Sequence, residues 1–162
     1  ILRFKFYLGQ AISQSLKGLN YFLKDTGDGF LLIFDENYLK SDEVLKKAIG
    51  LFEILKKVKM EKNLDFYIRI TLHCGEVYLL KNKDFFSFNL NFAFKVDKLN
   101  RENIICTKSC FVEKLKERDR IIVTDDFYNN LREEKDMAIP IGYFENPYYR
   151  KHPRAKIYQI EF

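Results

Sequence analysis

Cysteine and proline each occur only three times in this chain of 162 residues, and long apolar runs are missing altogether. Cys74, Cys106 and Cys110 are too few and too scattered for a disulfide framework. Cys106 and Cys110 have no companion Cys or His pair at zinc spacing. All three are therefore expected to be free thiols in a reducing cytosol, which places the protein in the cytoplasm. No apolar stretch approaches the ~18 residues needed to span a bilayer, and no segment reads as a signal peptide. Pro140, Pro147 and Pro153 all lie in the last quarter, which reads as a loop-rich region before the final strand; nothing resembles an internal linker, and 1–162 reads as one domain. What is present is a core: 47% hydrophobic and 31% charged residues exclude a disordered chain.

The formal net charge of +5 comes partly from Lys46, Lys47, Lys56, Lys57, Lys59 and Lys62, spaced as on the solvated face and C-terminal end of a helix. No Arg/Lys–aromatic repeat suggests a nucleic-acid groove, so nucleic acid is not an expected partner. A polyphosphate substrate explains a positive excess equally well.

Residues 1–19 admit two readings. Ile1, Phe4, Leu8, Ala11, Ile12, Leu16 and Leu19 follow helical spacing, whereas Leu2, Phe4, Phe6 and Leu8 alternate as a strand would. The helix is favoured because its stripe runs past residue 8. Two apolar runs, 19–24 and 30–34, flank Asp25–Thr26–Gly27–Asp28–Gly29 and read as a β-hairpin. Ser41 is placed to cap a helix whose buried stripe is Val44, Ala48, Leu51, Phe52, Leu55 and Val58. Strands are expected at 66–73, 77–80, 103–107, 120–124 and 156–162, with a short helix over 91–99. A hairpin followed by alternating helices and strands predicts an α/β (α+β) sandwich, a mixed sheet with helices packed on it.

Asp28 is a carboxylate in a Gly-flanked turn, open to close approach and suited to a hard cation shared with substrate phosphates. Turn chemistry alone also accounts for it. His73, near a strand end, reads as structural rather than catalytic.

Taken in order, these segments resemble class III adenylyl and guanylyl cyclases. KDTGDGFLLIF (24–34) resembles their K-x-x-G-D-x-x-x-x-x-F hairpin, and IRITLHCGEV (68–77) their R-x-G-I-H-x-G-E-V strand pair. LNFAFKVDKL (90–99) is similar to V-N-x-A-x-R-L-E, IVTDDFYNNL (122–131) to I-V-S-x-x-x-Y-x-x-L, and AKIYQI (155–160) to the terminal V-Y-x-V strand. The resemblance implies a ferredoxin-like cyclase homology domain, acting as a head-to-tail homodimer on a nucleoside triphosphate with Mg2+ or Mn2+. Asp28 takes the place of one of two metal aspartates. Lys24 matches the lysine that reads the purine, Asp84 its acidic partner, and Asn91 the asparagine that orients the ribose. Arg150, Lys151 or Arg154 would hold the triphosphate. A Lys/Asp pair resembles the adenine-selecting version, so ATP is favoured. Pyrimidine cyclases of antiphage defence share the fold and are the other option for the base.

There are two departures from the pattern. Lys95 stands where the family has its transition-state arginine, and a point charge does not replace a planar fork. No Asp precedes Asp25, so the second metal ligand is missing. Either the family's first strand lies upstream of residue 1, which is favoured, or residues 1–8 are a degenerate copy of it. Segment 100–119 is longer than the family pattern and reads as an insertion. These departures support an alternative, a degenerate cyclase-like domain that only dimerises or binds nucleotide. A cyclic-dinucleotide synthase is disfavoured, because the central hairpin carries no G-G-D-E-F-like acidic pair.

Overall fold

The computed structural model describes residues 2–81, 84–145 and 153–162. They form two compact units, Ile1–Ile68 and Arg69–Phe162.

In the first unit, α1 (Leu2–Ser15) realises the helical reading of the N-terminal stretch. Leu8, Ala11 and Ile12 on this helix, and Leu16 just beyond it, are buried. The antiparallel hairpin of β1 (Phe22–Asp25) and β2 (Phe30–Ile33) follows and forms its own two-stranded sheet. Helix α2 (Ser41–Glu61) then buries Leu45, Ala48, Leu51, Phe52 and Leu55 and packs on α1. Leu45 replaces Val44 in the expected stripe, and Val58 is only half-buried. Ser41 is not the cap: Lys40 occupies that position, and its backbone N–H donates to the Glu43 carboxylate at 3.1 Å. Glu43 thus serves the Lys40 N–H at the start of the helix, a different backbone donor from those two or three residues on that a Ser41 cap would have served.

The second unit is built on a four-stranded sheet in the order β3 (Arg69–Leu72), β6 (Arg120–Thr124), β8 (Arg154–Ile160), β7 (Ala138–Glu145). The β3–β6 pair is parallel and the other two pairs are antiparallel, so the sheet is mixed and mainly antiparallel, as expected. Every residue of β6 is buried, which suits the Ile121–Ile122–Val123 run of an interior strand. Ile122, Ala155 and Ile157 pack with Phe92, Val96 and Leu99 in one core cluster, and alternation sends Ile121 and Val123 to the opposite face. A small hairpin, β4 (Tyr78–Leu79) with β5 (Phe85–Phe86), precedes α3 (Phe88–Asp97). Helix α4 (Asp125–Asn130) leaves β6 directly from its Thr124 cap.

Two sequence expectations fail here. Residues 103–107 do not form a strand, because the Asn100 side chain accepts from Glu102 N–H and Asn103 N–H and winds a 3-10 turn over Arg101–Asn103. Ile105 instead makes an isolated bridge with Tyr143, two backbone bonds of 2.8 Å. The segment from 100 to 119 thereby lies along β7 and puts Ile104 and Leu115 in the core. The proline-bearing stretch is also not all loop: Pro140 lies within β7. It is tolerated there because β7 is a sheet edge with a register shift between Pro140 and Gly142.

Candidate functional site

The chemistry proposed from sequence rests on two structural groups, one in each unit. In the first, β1 and β2 pair from Phe22↔Ile33 to Asp25↔Phe30, and Thr26 N–H closes the turn onto the Gly29 carbonyl at 3.1 Å. Gly27 sits at φ 95°, a left-handed value that glycine reaches without a Cβ penalty. The two aspartates of this turn divide the work. Asp25 accepts from Gly27 N–H at 2.7 Å and from the Lys5 ammonium at 2.7 and 2.8 Å. Those bonds, the Lys5 one first, hold its carboxyl below the ordinary carboxylate value. Asp28 is exposed and has no hydrogen bond or ion pair among the described residues. Lys24 lies exposed on β1, opposite Leu31.

The second group is organised around α3. Its start is set by Ser87, 4% exposed, whose Oγ accepts from Asn89 N–H at 2.9 Å and donates to the Glu76 carbonyl at 2.5 Å. This cap moves the helix start to Phe88 from the expected 91. Phe92 and Val96, four residues apart, are fully buried, and the same spacing puts Asn91 and Lys95 together on an exposed face.

Side chains from β3 and β6 hold both ends of this helix. At its C-terminal end, the buried Arg120 donates to the carbonyls of Asp97 (2.9 Å), Leu99 (2.7 Å) and Lys116 (3.2 Å). Burial lowers the pKa of this guanidinium, and the nearby Asp97 charge opposes that shift. The Asp97 carboxylate also meets Arg69 at 3.4 Å and accepts from Thr71 Oγ1 at 3.3 Å. At the N-terminal end, the His73 ring lies between Thr124 Oγ1, 2.8 Å from Nδ1, and Asn89 Oδ1, 3.3 Å from Nε2. Asn89 Nδ2 donates to the Glu76 carbonyl at 2.9 Å, and the His73 ring meets Phe92 edge-on, centroids 5.2 Å apart.

Asp84 ends the β4–β5 turn, where its carbonyl accepts from Leu80 N–H at 2.7 Å and its carboxylate from Phe85 N–H at 2.8 Å. Arg150 and Lys151 lie outside the described residues. Arg154 pairs with Glu145 at 2.6 Å. Cys74, Cys106 and Cys110 form no disulfide bond. Among the described residues, no group of three or more His, Cys, Asp or Glu side chains is placed to hold a metal ion. A phosphate-borne divalent cation needs only one or two protein carboxylates, and the unengaged Asp28 is a donor of that kind.

Arg120, Ser87 and Asn89 were missed as organising residues. Only Ser87 carried a readable signal, a capping residue just ahead of an apolar helical pattern.

No family model and no curated protein matches the sequence. A solved structure does: an adenylate/guanylate cyclase/hydrolase from Silicibacter pomeroyi superposes with a TM-score of 0.58 at 19% identity, covering 98% of this chain and 83% of that one. The fold is therefore cyclase-like. No helix among the described residues is long and apolar enough to cross a membrane.

Proposed function

We propose that the chain is the catalytic domain of a nucleotide cyclase, converting a nucleoside triphosphate into a 3′,5′-cyclic nucleotide and pyrophosphate, with ATP favoured. The observation that carries the proposal is the pair Asn91 and Lys95, exposed together on a helix whose two ends are tied to the sheet. A hydrogen-bonding amide and a cation on one rigid face suit a ribose and an α-phosphate held in line for attack by the 3′-oxygen. Asn91 orients the ribose, and Lys95 meets the charge that builds on the α-phosphate. Lys24 and Asp84 read the base, and Arg150 or Lys151 hold the triphosphate. Asp28 would hold Mg2+ or Mn2+, which when bound lowers the pKa of the attacking hydroxyl and clamps the phosphates.

The active unit in this proposal is a head-to-tail homodimer in which Asp28 of one copy faces Lys24, Asp84, Asn91 and Lys95 of the other. Apolar residues on and beside the β4–β5 hairpin support association: Tyr78, Leu79, Phe86 and Phe88 are each more than half exposed. The second reading, a domain that binds nucleotide without cyclising it, is favoured by Lys95 in the arginine position and by Asp28 standing alone where the family has two metal aspartates. Incubating the protein with each of the four triphosphates and Mn2+, then identifying products by mass, separates the two. A cyclic mononucleotide is expected. Binding of a triphosphate without a cyclic product, with any upstream residues of the natural protein included, would establish the second reading.

A further inference from the structure

The contacts around His73 share one consistent direction of proton donation. Thr124 Oγ1 accepts from Phe127 N–H at 3.4 Å in the α4 cap and keeps its hydroxyl proton, which it can donate to His73 Nδ1, 2.8 Å away. On the other side, Asn89 spends an amide N–H on the Glu76 carbonyl and turns its oxygen towards His73 Nε2 at 3.3 Å. An amide oxygen only accepts, so Nε2 is the donor here, and in the neutral ring Nδ1 then accepts the Thr124 hydroxyl proton. The relay runs Phe127 N–H, Thr124 O–H, His73 Nε2–H, Asn89 Nδ2–H, Glu76 C=O. It joins the ends of β3 and β6 to the first turn of α3, where the next residues are Leu90 and Asn91.

We infer that His73, as the neutral Nε2–H tautomer, is a positioning residue that fixes the first turn of α3 through Asn89 and thereby aims Asn91 and Lys95. Ser87 caps the helix but is itself bonded to the same Glu76 carbonyl, so cap and relay converge on one acceptor. Arg120 secures the far end of α3, which leaves the N-terminal turn as the part that His73 controls. The functional consequence rests on the cyclase reading above, whereas the positioning itself does not.

Two substitutions separate the relay from simple packing against Phe92. His73→Gln removes the ring but keeps an N–H donor at the depth of Nε2, within reach of Asn89. His73→Asn also removes the ring and keeps only a group at the depth of Nδ1, facing Thr124. Hydrogen exchange at the amides of residues 91–94 should accelerate about tenfold or more in His73→Asn and in Asn89→Ala, and less than about threefold in His73→Gln, because local opening tracks the ties on that turn. Nitrogen NMR of the wild-type ring should show Nε2 protonated and Nδ1 bare at neutral pH. In an active enzyme His73→Asn should lower kcat about 10²-fold with KM little changed, the scale of a misplaced catalytic group, and His73→Gln should recover most of it. Equal acceleration in the Gln and Asn variants, or an Nδ1–H tautomer in the wild type, overturns the inference. If the His73 variants do not fold, Asn89→Ala and the wild-type tautomer still decide it. A wild type that cyclises no triphosphate defeats the cyclase reading, while exchange and tautomer still test the positioning.

Discussion

Replacing Gly75 with alanine puts a methyl group where the Asn89 amide now lies. A Cβ on Gly75 would sit 2.3 Å from Asn89 Cγ and 2.6 Å from both Nδ2 and Oδ1, distances at which something must move. Asn89 is short, so it can clear the space only by changing χ1, and that breaks its bonds to the Glu76 carbonyl and to His73. Two net hydrogen bonds at roughly 1 kcal/mol each amount to a loss of about 2 kcal/mol. Against this, alanine reduces the freedom of the unfolded chain and returns about 0.4–1 kcal/mol, since Gly75 is not among the positive-φ glycines. The net expectation is a destabilisation of about 1–1.5 kcal/mol in urea unfolding. The decisive measurement is a double-mutant cycle. In an Asn89→Ala background the three nearest atoms are gone, so Gly75→Ala should be neutral or slightly stabilising, giving a coupling of about 2 kcal/mol. The same cost in both backgrounds would refute the steric argument and point to the backbone of the turn itself.

Arg120→Met should destabilise by roughly 3 kcal/mol or more, because it strips charged donors from the carbonyls of Asp97, Leu99 and Lys116; a urea-unfolding loss below about 1 kcal/mol would contradict that account. Lys5→Ala should raise the Asp25 carboxyl pKa towards the ordinary range in an NMR titration, while the Gly27 N–H keeps part of the lowering. A carboxyl lowered in the folded state stabilises above its unfolded pKa and loses that contribution as pH falls through the folded one. The variant should therefore lose less stability than wild type on acidification, and an unchanged titration would show that Lys5 does not hold Asp25. Asp28→Ala should leave stability within about 0.5 kcal/mol of wild type, since the residue is exposed and unpaired among the described residues, yet abolish cyclisation. Retained turnover, or unfolding, defeats its metal role. Lys95→Ala should lower kcat about 10²-fold with a smaller effect on KM, whereas Lys95→Arg should retain or raise activity; unchanged turnover in Lys95→Ala would remove it from the site.

Periodicity and turn chemistry, which depend on near neighbours, were legible in the chain itself. The α1 stripe, the Gly27-centred hairpin, most of the α2 face and the Ile121–Val123 strand could all be read from residue spacing. So could the i, i+4 relation of Asn91 to Lys95, because helix geometry turns four residues of separation into one face. The same order of segments led to a cyclase-like fold. Failures occurred where a distant partner outweighed a local preference. Pro140 reads as a breaker, yet it lies in β7 because edge position and a bulge remove the demand for its missing N–H. The β-branched run at 103–107 is overruled by the Asn100 side chain and by a single bridge to Tyr143. Arg120, written as the first residue of a strand, becomes the anchor of a helix end 21 to 23 residues earlier in the chain. His73 looked like an ordinary strand-end histidine, and only the packing of β3, β6 and α3 gives its two nitrogens distinct partners. Sequence thus determined α1, the β1–β2 hairpin, α2, α3 and β6, and which side chains share a face, but not β7 or the path of 103–107. Tertiary structure alone decided which polar groups meet, because hydrogen bonds need atoms within about 3 Å and no local spacing rule brings residues 73, 89 and 124 that close.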